Sequence, residues 1–440
     1  MTQTKLAAVV MAGGFGTRMR SAVPKHLHPI LGRRMIDWVL EAARPLAPAR
    51  LVVVASPETR HDFGDVEVAV QERALGTGDA IGAARAALEG GADEILVLSG
   101  DTPLLTSGLL VELLAAHRAS GTAATVLTFE PDELRAYGRV LRGRDGQVRG
   151  IVEAGDATPD ELAVRECNSS IYVFRAELLW PALDRLRPAN AQGELYLTDA
   201  VRNLVESGAS VGAHTAGDPA ETEGVNTRVE LAAAAALLRE RVNRDHMLAG
   251  AAIVDPASTW IEADVVLEPD CVVHPFTVLR GRTRVAAGAE VGPHAVAIDT
   301  IVGPGAIVGP FCYLRPGTVL DARAKAGTFV EIKNSHIGER TKIPHLSYIG
   351  DADIGADTNI AASNVTVNFA HEPGRPKGRT TIGSNVRTGV DNAFVAPVTI
   401  GDDAWIAAGS VITEDVPPNA LALARAHQVN KEGRGGKRDG

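Results

Sequence analysis

The chain has 440 residues and a formal net charge of −10, and its 45% hydrophobic content comes with 45 glycines, 24 prolines and only 9 Phe, 5 Tyr and 4 Trp. At roughly 100–200 residues per domain this length predicts two or three folding units, and the acidic balance leaves no global basic field for nucleic acid or an anionic membrane surface. No apolar stretch approaches the ~20 residues of a membrane span, and the leading MTQTKLAAVVMAGG enters a strand-like run without a signal-peptide cleavage pattern, so a cytoplasmic location is expected.

Strands are predicted at Leu6–Met11, Leu51–Ala55 and Ile95–Ser99, and helices at Met35–Ala43, Asp79–Glu89 and Gly108–Ala119. That alternation is the rhythm of a parallel sheet covered by helices. The segment Arg228–Met247 is rich in alanine and leucine and has no Gly or Pro, which predicts a helix. We read it as a linker over residues 228–250, between a first domain at 1–227 and a last one at 251–440.

Beyond this helix the hydrophobic period becomes six. Aliphatics fall at Ile261, Leu267, Val273, Leu279, Val285 and Val291 and, after a slip of one residue, at Val302, Val308, Leu314 and Leu320, with Ala326 and Ile332 in register. The pattern resumes at Ile337, Ile343 and Ile349, at Ile354 and Ile360, and at Ile382, Phe394, Ile400, Ile406 and Ile412, with glycine often next, as in Val302-Gly303 and Ile337-Gly338. A helix repeats at about 3.6 residues and a strand at about 2, so a period of six with turn-permissive glycines predicts short strands separated by tight corners. Each aliphatic then stacks over its counterpart one coil away, as in a parallel β-helix. Gly374–Thr381 interrupts the period and predicts a protruding loop, and the polar Lys431–Gly440 predicts a disordered tail. Cys167, Cys271 and Cys312 lie far apart with no CxxC pair, so buried thiols are expected, not disulfides or a zinc site.

The loop after the first strand carries Gly13, Gly14 and Gly16, then Arg18 and Lys25. Glycines leaving a strand's carboxyl end let backbone N–H groups approach an anionic ligand. The pattern is not a full GxGxxG, because Met19 takes the third glycine position, and no Gly-Lys-Ser/Thr follows as in a P-loop. Two cations beside such a nest suit a triphosphate or a departing pyrophosphate. Asp101 follows the apolar EILVLSG and predicts a carboxylate at the same sheet edge.

The string AGGFGTRM…PKHLHPI resembles the G-x-G-T-R-[ML]…P-K signature of sugar-1-phosphate nucleotidylyltransferases. QERALGTG at Gln71–Gly78, LSGDTPL at Leu98–Leu104, Tyr137-Gly138-Arg139, Ile151-Val152-Glu153, NSSI at Asn168–Ile171 and EGVN at Glu223–Asn226 resemble one branch closely. With the six-residue repeats, nearly the whole chain is similar to the family of bifunctional N-acetylglucosamine-1-phosphate uridylyltransferases / glucosamine-1-phosphate acetyltransferases. The resemblance implies an α/β, Rossmann-like nucleotidyltransferase domain, a linker helix and a left-handed parallel β-helix. It implies acetyl transfer from acetyl-CoA to glucosamine 1-phosphate, then uridylyl transfer from UTP to N-acetylglucosamine 1-phosphate, in a homotrimer that uses Mg²⁺ and contacts neither nucleic acid nor membrane. Asp101 and Asn226 are implied as the Mg²⁺ ligands, in keeping with the few hard oxygens this ion takes from protein. Arg18 and Lys25 are implied to act on the phosphates, Met11, Ala12, Gly13, Gly14, Ser99 and Gly100 to hold the nucleotide, Gln71, Gly76 and Thr77 to read uracil, and Gly138, Glu153 and Asn168 to hold the sugar. Gly13 stands where the family usually has alanine, a change expected to leave the loop intact.

For the second reaction the resemblance implies His345 as the base that frees the amine, Arg315 and Lys333 as partners of the substrate phosphate, and Tyr348 and Asn359 in the sugar pocket, with Glu331 orienting the imidazole. Acetyl-CoA is implied at Ala362, Asn368, Phe369, Val390, Ala408 and Arg425. Here the chain departs from the family: N-I-G-A-G becomes Asn359-Ile360-Ala361-Ala362-Ser363, N-Y-D-G becomes Asn368-Phe369-Ala370-His371, and Val390 replaces a serine. Backbone contacts survive such changes, whereas hydrogen bonds from the tyrosine and serine do not. Two other readings stay open on the residues alone. One is a nucleotidylyltransferase of different base or sugar specificity with little or no acetyl transfer; the other is a scaffold whose β-helix only trimerises a degenerate nucleotide-binding domain. His345, Lys333 and Tyr348 speak against the first, and the presence of Asp101, Lys25 and Asn226 against the second.

Overall fold

The computed structural model describes residues 4–369 and 376–432, so Ala370, His371, Gly374 and most of the expected tail lie outside the described residues. Contacts divide the chain into two units, Met1–Leu238 and Arg239–Gly440, and one helix runs from Arg228 to Leu248. Among the described residues no helix is long and apolar enough to cross a membrane.

In the first unit the strands lie in the order Val211–Thr215, Ala124–Phe129, Cys167–Arg175, Glu94–Ser99, Leu6–Ala12, Arg50–Ala55 and Glu67–Val70. The central strands are apolar at successive positions because both faces are covered. Ala7, Val9 and Val97 pack on one side with Leu179 and Val201, while Ala8, Val10 and Leu98 pack on the other with Ile36 and Leu110. The sheet is mixed, not purely parallel: Cys167–Arg175 runs antiparallel to both neighbours. Its first residue, Cys167, also pairs antiparallel with Arg139, in the hairpin of Arg139–Arg142 and Val148–Val152. The predicted helix at Asp79–Glu89 is two short ones, Thr77–Ala83 and Arg85–Leu88. Met11 pairs with Ser99 at the carboxyl edge of the sheet, which brings the glycine loop and Asp101 to one place.

The second unit is a left-handed parallel β-helix with three faces. The first face begins at Ala252–Ile253, the second at Trp260–Ile261 and the third at Val266–Leu267. Every aliphatic of the six-residue pattern is buried inside. The slips in that pattern have one location. From Ile261 to Ile412 the step between stacked core residues is six, except for five at Ala297–Val302, Ile332–Ile337 and Ile349–Ile354 and sixteen at Thr366–Ile382. All four exceptions fall at the corner between the second and third faces, and the long one contains the interruption expected at Gly374–Thr381, where Thr380–Ile382 is already strand.

Some glycines that follow core residues take left-handed turns as expected, Gly292 and Gly309 at φ +104°, but others do a different job. Gly303, Gly338, Gly355 and Gly401 do not have positive φ. They are needed because the next coil stacks closely: an added Cβ would lie 2.6 Å from Leu320 O at Gly303 and 2.5 Å from Pro418 N at Gly401. The left-handed corner positions are taken largely by other residues, and Phe276, His294, Phe311, Phe329, Leu346, Ser363 and Asp391 form one such column between the first and second faces. The three cysteines are buried and free.

Candidate active sites

The first site is built at the edge where Leu6–Ala12 and Glu94–Ser99 end. A Cβ on Gly100 would lie 2.8 Å from Met11 O, so the two strand ends approach closely only because that residue is glycine. Gly16 takes φ +74°, and the loop closes with Lys25 N donating to Phe15 O at 3.2 Å. A Cβ on Gly16 would lie 2.5 Å from Lys25 Cβ, so this glycine also fixes where the lysine stands.

Lys25 Nζ donates to Asp101 Oδ2 and, at 2.9 Å, to Asn226 Oδ1. Arg18 donates to the same Asn226 oxygen at 2.9 Å, and Ser99 Oγ donates to Asp101 Oδ1 at 2.7 Å. Burial works against ionisation of Asp101, but the Lys25 ammonium and the Ser99 hydroxyl hold its carboxyl below the usual range. Asn226 is set by a capping box at the start of the following helix. Thr227 Oγ1 accepts from Glu230 N at 3.2 Å, and the Glu230 carboxylate accepts from Thr227 N and Asn226 N at 2.8 and 2.7 Å. The Thr-x-x-Glu spacing was visible in the sequence but was not singled out. Two hard oxygens, Asp101 Oδ2 and Asn226 Oδ1, thus converge on one cation, which fits a Mg²⁺ ion bound by few protein ligands.

Met11, Ala12, Gly13, Gly14, Gln71, Gly76, Thr77, Ser99 and Gly100 line one cavity of about 280 Å³ with Lys25 and Asp101. Gln71 Nε2 donates to Gly76 O and to Asp79 Oδ2, at 3.1 and 2.8 Å. A Cβ on Gly13 would collide with Gln71 Oε1, so the glycine makes room for this side chain as well as leaving the loop intact. Sequence reasoning missed four residues of the cavity wall, Ala74, Ala80 and the titratable His26 and Glu194. His26 is buried against Phe63, and burial pushes its pKa down to about 4, so it is a neutral wall and not a phosphate cation. Gly138, Glu153 and Asn168 meet beside the hairpin, where a Cβ on Gly138 would lie 3.3 Å from Glu153 Oε2 and 3.5 Å from Asn168 Cβ.

In the β-helix, Arg315, Lys333 and Tyr348 stand on three successive coils of the second face. Arg315 donates to Glu331 Oε1 at 2.9 Å, and Lys333 Nζ lies 3.8 Å from Asp351 Oδ2. Glu331, expected to orient the imidazole, is therefore engaged by Arg315 within the chain. His345 ends the first-face strand Lys342–His345 at the corner between the first two faces, with its side chain exposed. Asn359 is on the first face, bridging Lys342 and Arg387 through its backbone, and is not brought to the cationic group.

From His345 a column of expected coenzyme residues climbs this corner. Register places Ala362 one coil beyond His345, Asp391 N donates to Ala362 O at 3.0 Å, Gly409 N to Val390 O at 2.8 Å, and Arg425 to Ala408 O at 2.8 Å. Asn368 does not stand in the column. It is buried, and its amide donates to Asp351 and, at 3.4 Å, to the Tyr348 hydroxyl. Phe369 is exposed beside it.

A family of MobA-like NTP transferase domains matches residues 8–196. The chain is 50% identical to the bifunctional protein GlmU of Streptomyces coelicolor, over 97% of this chain and 93% of that protein. It is 48% identical to the bifunctional protein GlmU of Mycobacterium tuberculosis, over 97% and 91%. Because that identity runs through both units and not the nucleotide-binding one alone, the chain belongs to the bifunctional GlmU family, the uridylyltransferase–acetyltransferase family whose motifs it carries.

Proposed function

We propose that the chain makes UDP-N-acetylglucosamine in two steps in the cytoplasm, for peptidoglycan and other amino-sugar polymers. Acetyl-CoA acetylates glucosamine 1-phosphate in the second unit, and UTP then uridylylates N-acetylglucosamine 1-phosphate in the first. The observation that carries this reading is the meeting of Lys25, Arg18, Asp101 and Asn226 at the sheet edge.

In the uridylyl transfer the sugar phosphate oxygen attacks the α-phosphorus of UTP, and the bond to the β-phosphate breaks. The nucleophile is already an anion, so the work is positioning and charge neutralisation, without a general base. Asp101 and Asn226 would hold Mg²⁺, which supplies charge neutralisation to the phosphates. Lys25, turned from these oxygens to the phosphates, steadies the reacting groups, and Arg18 holds the departing pyrophosphate. Gln71, Gly76 and Thr77 read the uracil; Gly138, Glu153 and Asn168 hold the sugar.

In the acetyl transfer the ammonium of glucosamine 1-phosphate must lose a proton before its nitrogen can attack the thioester carbonyl and expel the coenzyme thiolate. His345 takes that proton, as an imidazole can near neutral pH. Arg315 and Lys333 exchange their carboxylate partners for the substrate phosphate. The column from His345 to Arg425 supports an acetyl-CoA lying along the corner. Four coil steps of about 4.8 Å span about 19 Å between the reacting carbonyl and a guanidinium suited to the nucleotide phosphates. Coupled assays on wild-type protein test both halves: pyrophosphate release from UTP with N-acetylglucosamine 1-phosphate, and thiol release from acetyl-CoA with glucosamine 1-phosphate. Absence of either removes that half of the reading.

The separation of Asn359 from Arg315, Lys333 and Tyr348 supports a pocket completed by a second copy in a trimer. The exposed Phe276, His294, Phe311 and Phe329 side chains, stacked with ring centroids 4.8, 4.8 and 5.3 Å apart, supply an apolar stripe for that packing. Sedimentation equilibrium is expected to give three times the chain mass of 46.1 kDa; a monomer would exclude this assembly.

A further inference from the structure

The two sugar-reading side chains of the first site each have one buried hydroxyl partner. Thr198 Oγ1 donates to Glu153 Oε1 at 3.3 Å. Asn168 Nδ2 donates to the Tyr172 hydroxyl at 2.8 Å, while Asn168 Oδ1 accepts from Ser170 N at 3.1 Å. Tyr172 and Thr198 are only 2% and 4% exposed, so neither hydroxyl is a surface group. Their backbone settings are unusual on one side. The strand Cys167–Arg175 shifts register between Asn168 and Tyr172, and within that bulge Ser170 takes φ +61°, a conformation costly for a residue with a side chain.

These bonds decide which polar atoms remain for a ligand. With Oε1 taken by Thr198, Glu153 keeps Oε2 toward the gap above Gly138. With its oxygen turned to Ser170 N and one amide hydrogen given to Tyr172, Asn168 has its second N–H as the uncommitted donor. One carboxylate acceptor and one amide donor, set side by side, suit a sugar that presents a donor and an acceptor together, as a hydroxyl next to an acetamido group does. We infer that Tyr172 and Thr198 are positioning residues for the sugar, holding Asn168 and Glu153 in the one orientation that presents this donor–acceptor pair to N-acetylglucosamine 1-phosphate. The strained bulge is the backbone device that carries Asn168 and Tyr172 to the same pocket. This inference rests on the uridylyl-transfer reading given above.

Both residues act on ground-state sugar binding, so their loss should appear in KM and not in kcat. Tyr172→Phe and Thr198→Val in the full chain are each expected to raise the KM for N-acetylglucosamine 1-phosphate about tenfold, the loss of one buried hydrogen bond. The KM for UTP and thiol release from acetyl-CoA should stay at wild-type values, and Thr198→Ser, which keeps the hydroxyl, should restore the sugar KM. An unchanged sugar KM in either variant overturns that residue's role, and an equal rise in the KM for UTP shows a merely structural one. If Tyr172→Phe fails to fold, the comparison of Thr198→Val with Thr198→Ser still decides. Wild-type protein that releases no pyrophosphate with this sugar phosphate would overturn the proposed reaction instead, before any variant is compared.

Discussion

Asp101→Ala is expected to slow pyrophosphate release by at least about 10³-fold while leaving thiol release from acetyl-CoA at the wild-type rate. The substitution removes one of the two hard oxygens that meet at the site and the main partner of the Lys25 ammonium. Charge neutralisation of reacting phosphates is worth several kcal/mol, and about 1.4 kcal/mol is a tenfold change in rate. The loss should not be regained by raising pH. Because Lys25 and Ser99 hold the Asp101 carboxyl below its usual range, it is already an anion throughout the neutral region. The sign for stability follows: ionised Asp101 supports the fold above the carboxyl's unfolded value, and that support fades as pH falls through the lower folded value. The paired assays measure the effect, and a variant within tenfold of wild type in pyrophosphate release would show that Asp101 holds no essential cation.

His345→Ala is expected to produce the opposite split, with acetyl transfer lowered by roughly 10²–10⁴-fold, the usual contribution of a general base, and pyrophosphate release intact. Its pH dependence separates a base from a binding group. Raising pH frees the substrate amine without help, so the deficit of the variant should shrink toward alkaline pH if the histidine's work is proton removal. A deficit constant with pH would assign the imidazole to binding alone. Within one chain His345 has its side chain exposed at a corner, and the nearby Glu331 is held by Arg315 at 2.9 Å.

The architecture was legible because its two signals are of different period. Unbroken apolar runs such as Leu6–Met11 and Ile95–Ser99 specify strands buried on both faces, and the six-residue spacing specifies stacked coils whose core positions are buried as read. What the sequence concealed was direction and neighbourhood. Nothing in Cys167–Arg175 says that it runs antiparallel, since apolar patterning is the same for either direction. His26 next to Lys25 reads as one more basic residue, yet packing against Phe63 buries it as a neutral group. Asn368 shares a motif with the expected coenzyme residues, but second-face register sets it one coil above Asp351, where its amide bonds Asp351 and the Tyr348 hydroxyl. Several glycines after core residues, Gly303 and Gly401 among them, are not turn formers but places where the next coil leaves no room for a side chain. Partner choice across coils is a three-dimensional fact that one-dimensional spacing does not contain.

Between Ile261 and Ile412 the confinement of every irregular step to a single corner of the β-helix has a consequence for how the chain can change. Over that stretch two corners keep a fixed six-residue spacing, and one of them carries His345, Ala362, Val390 and Ala408. That edge works as a ruled scale, on which a ligand that must reach from one mark to another always meets the same interval. The third corner works as an expansion joint: it has absorbed three deletions of one residue and an insertion of ten without shifting a rung on either side. Length variation can therefore accumulate in this helix while the distance between its chemical groups stays constant.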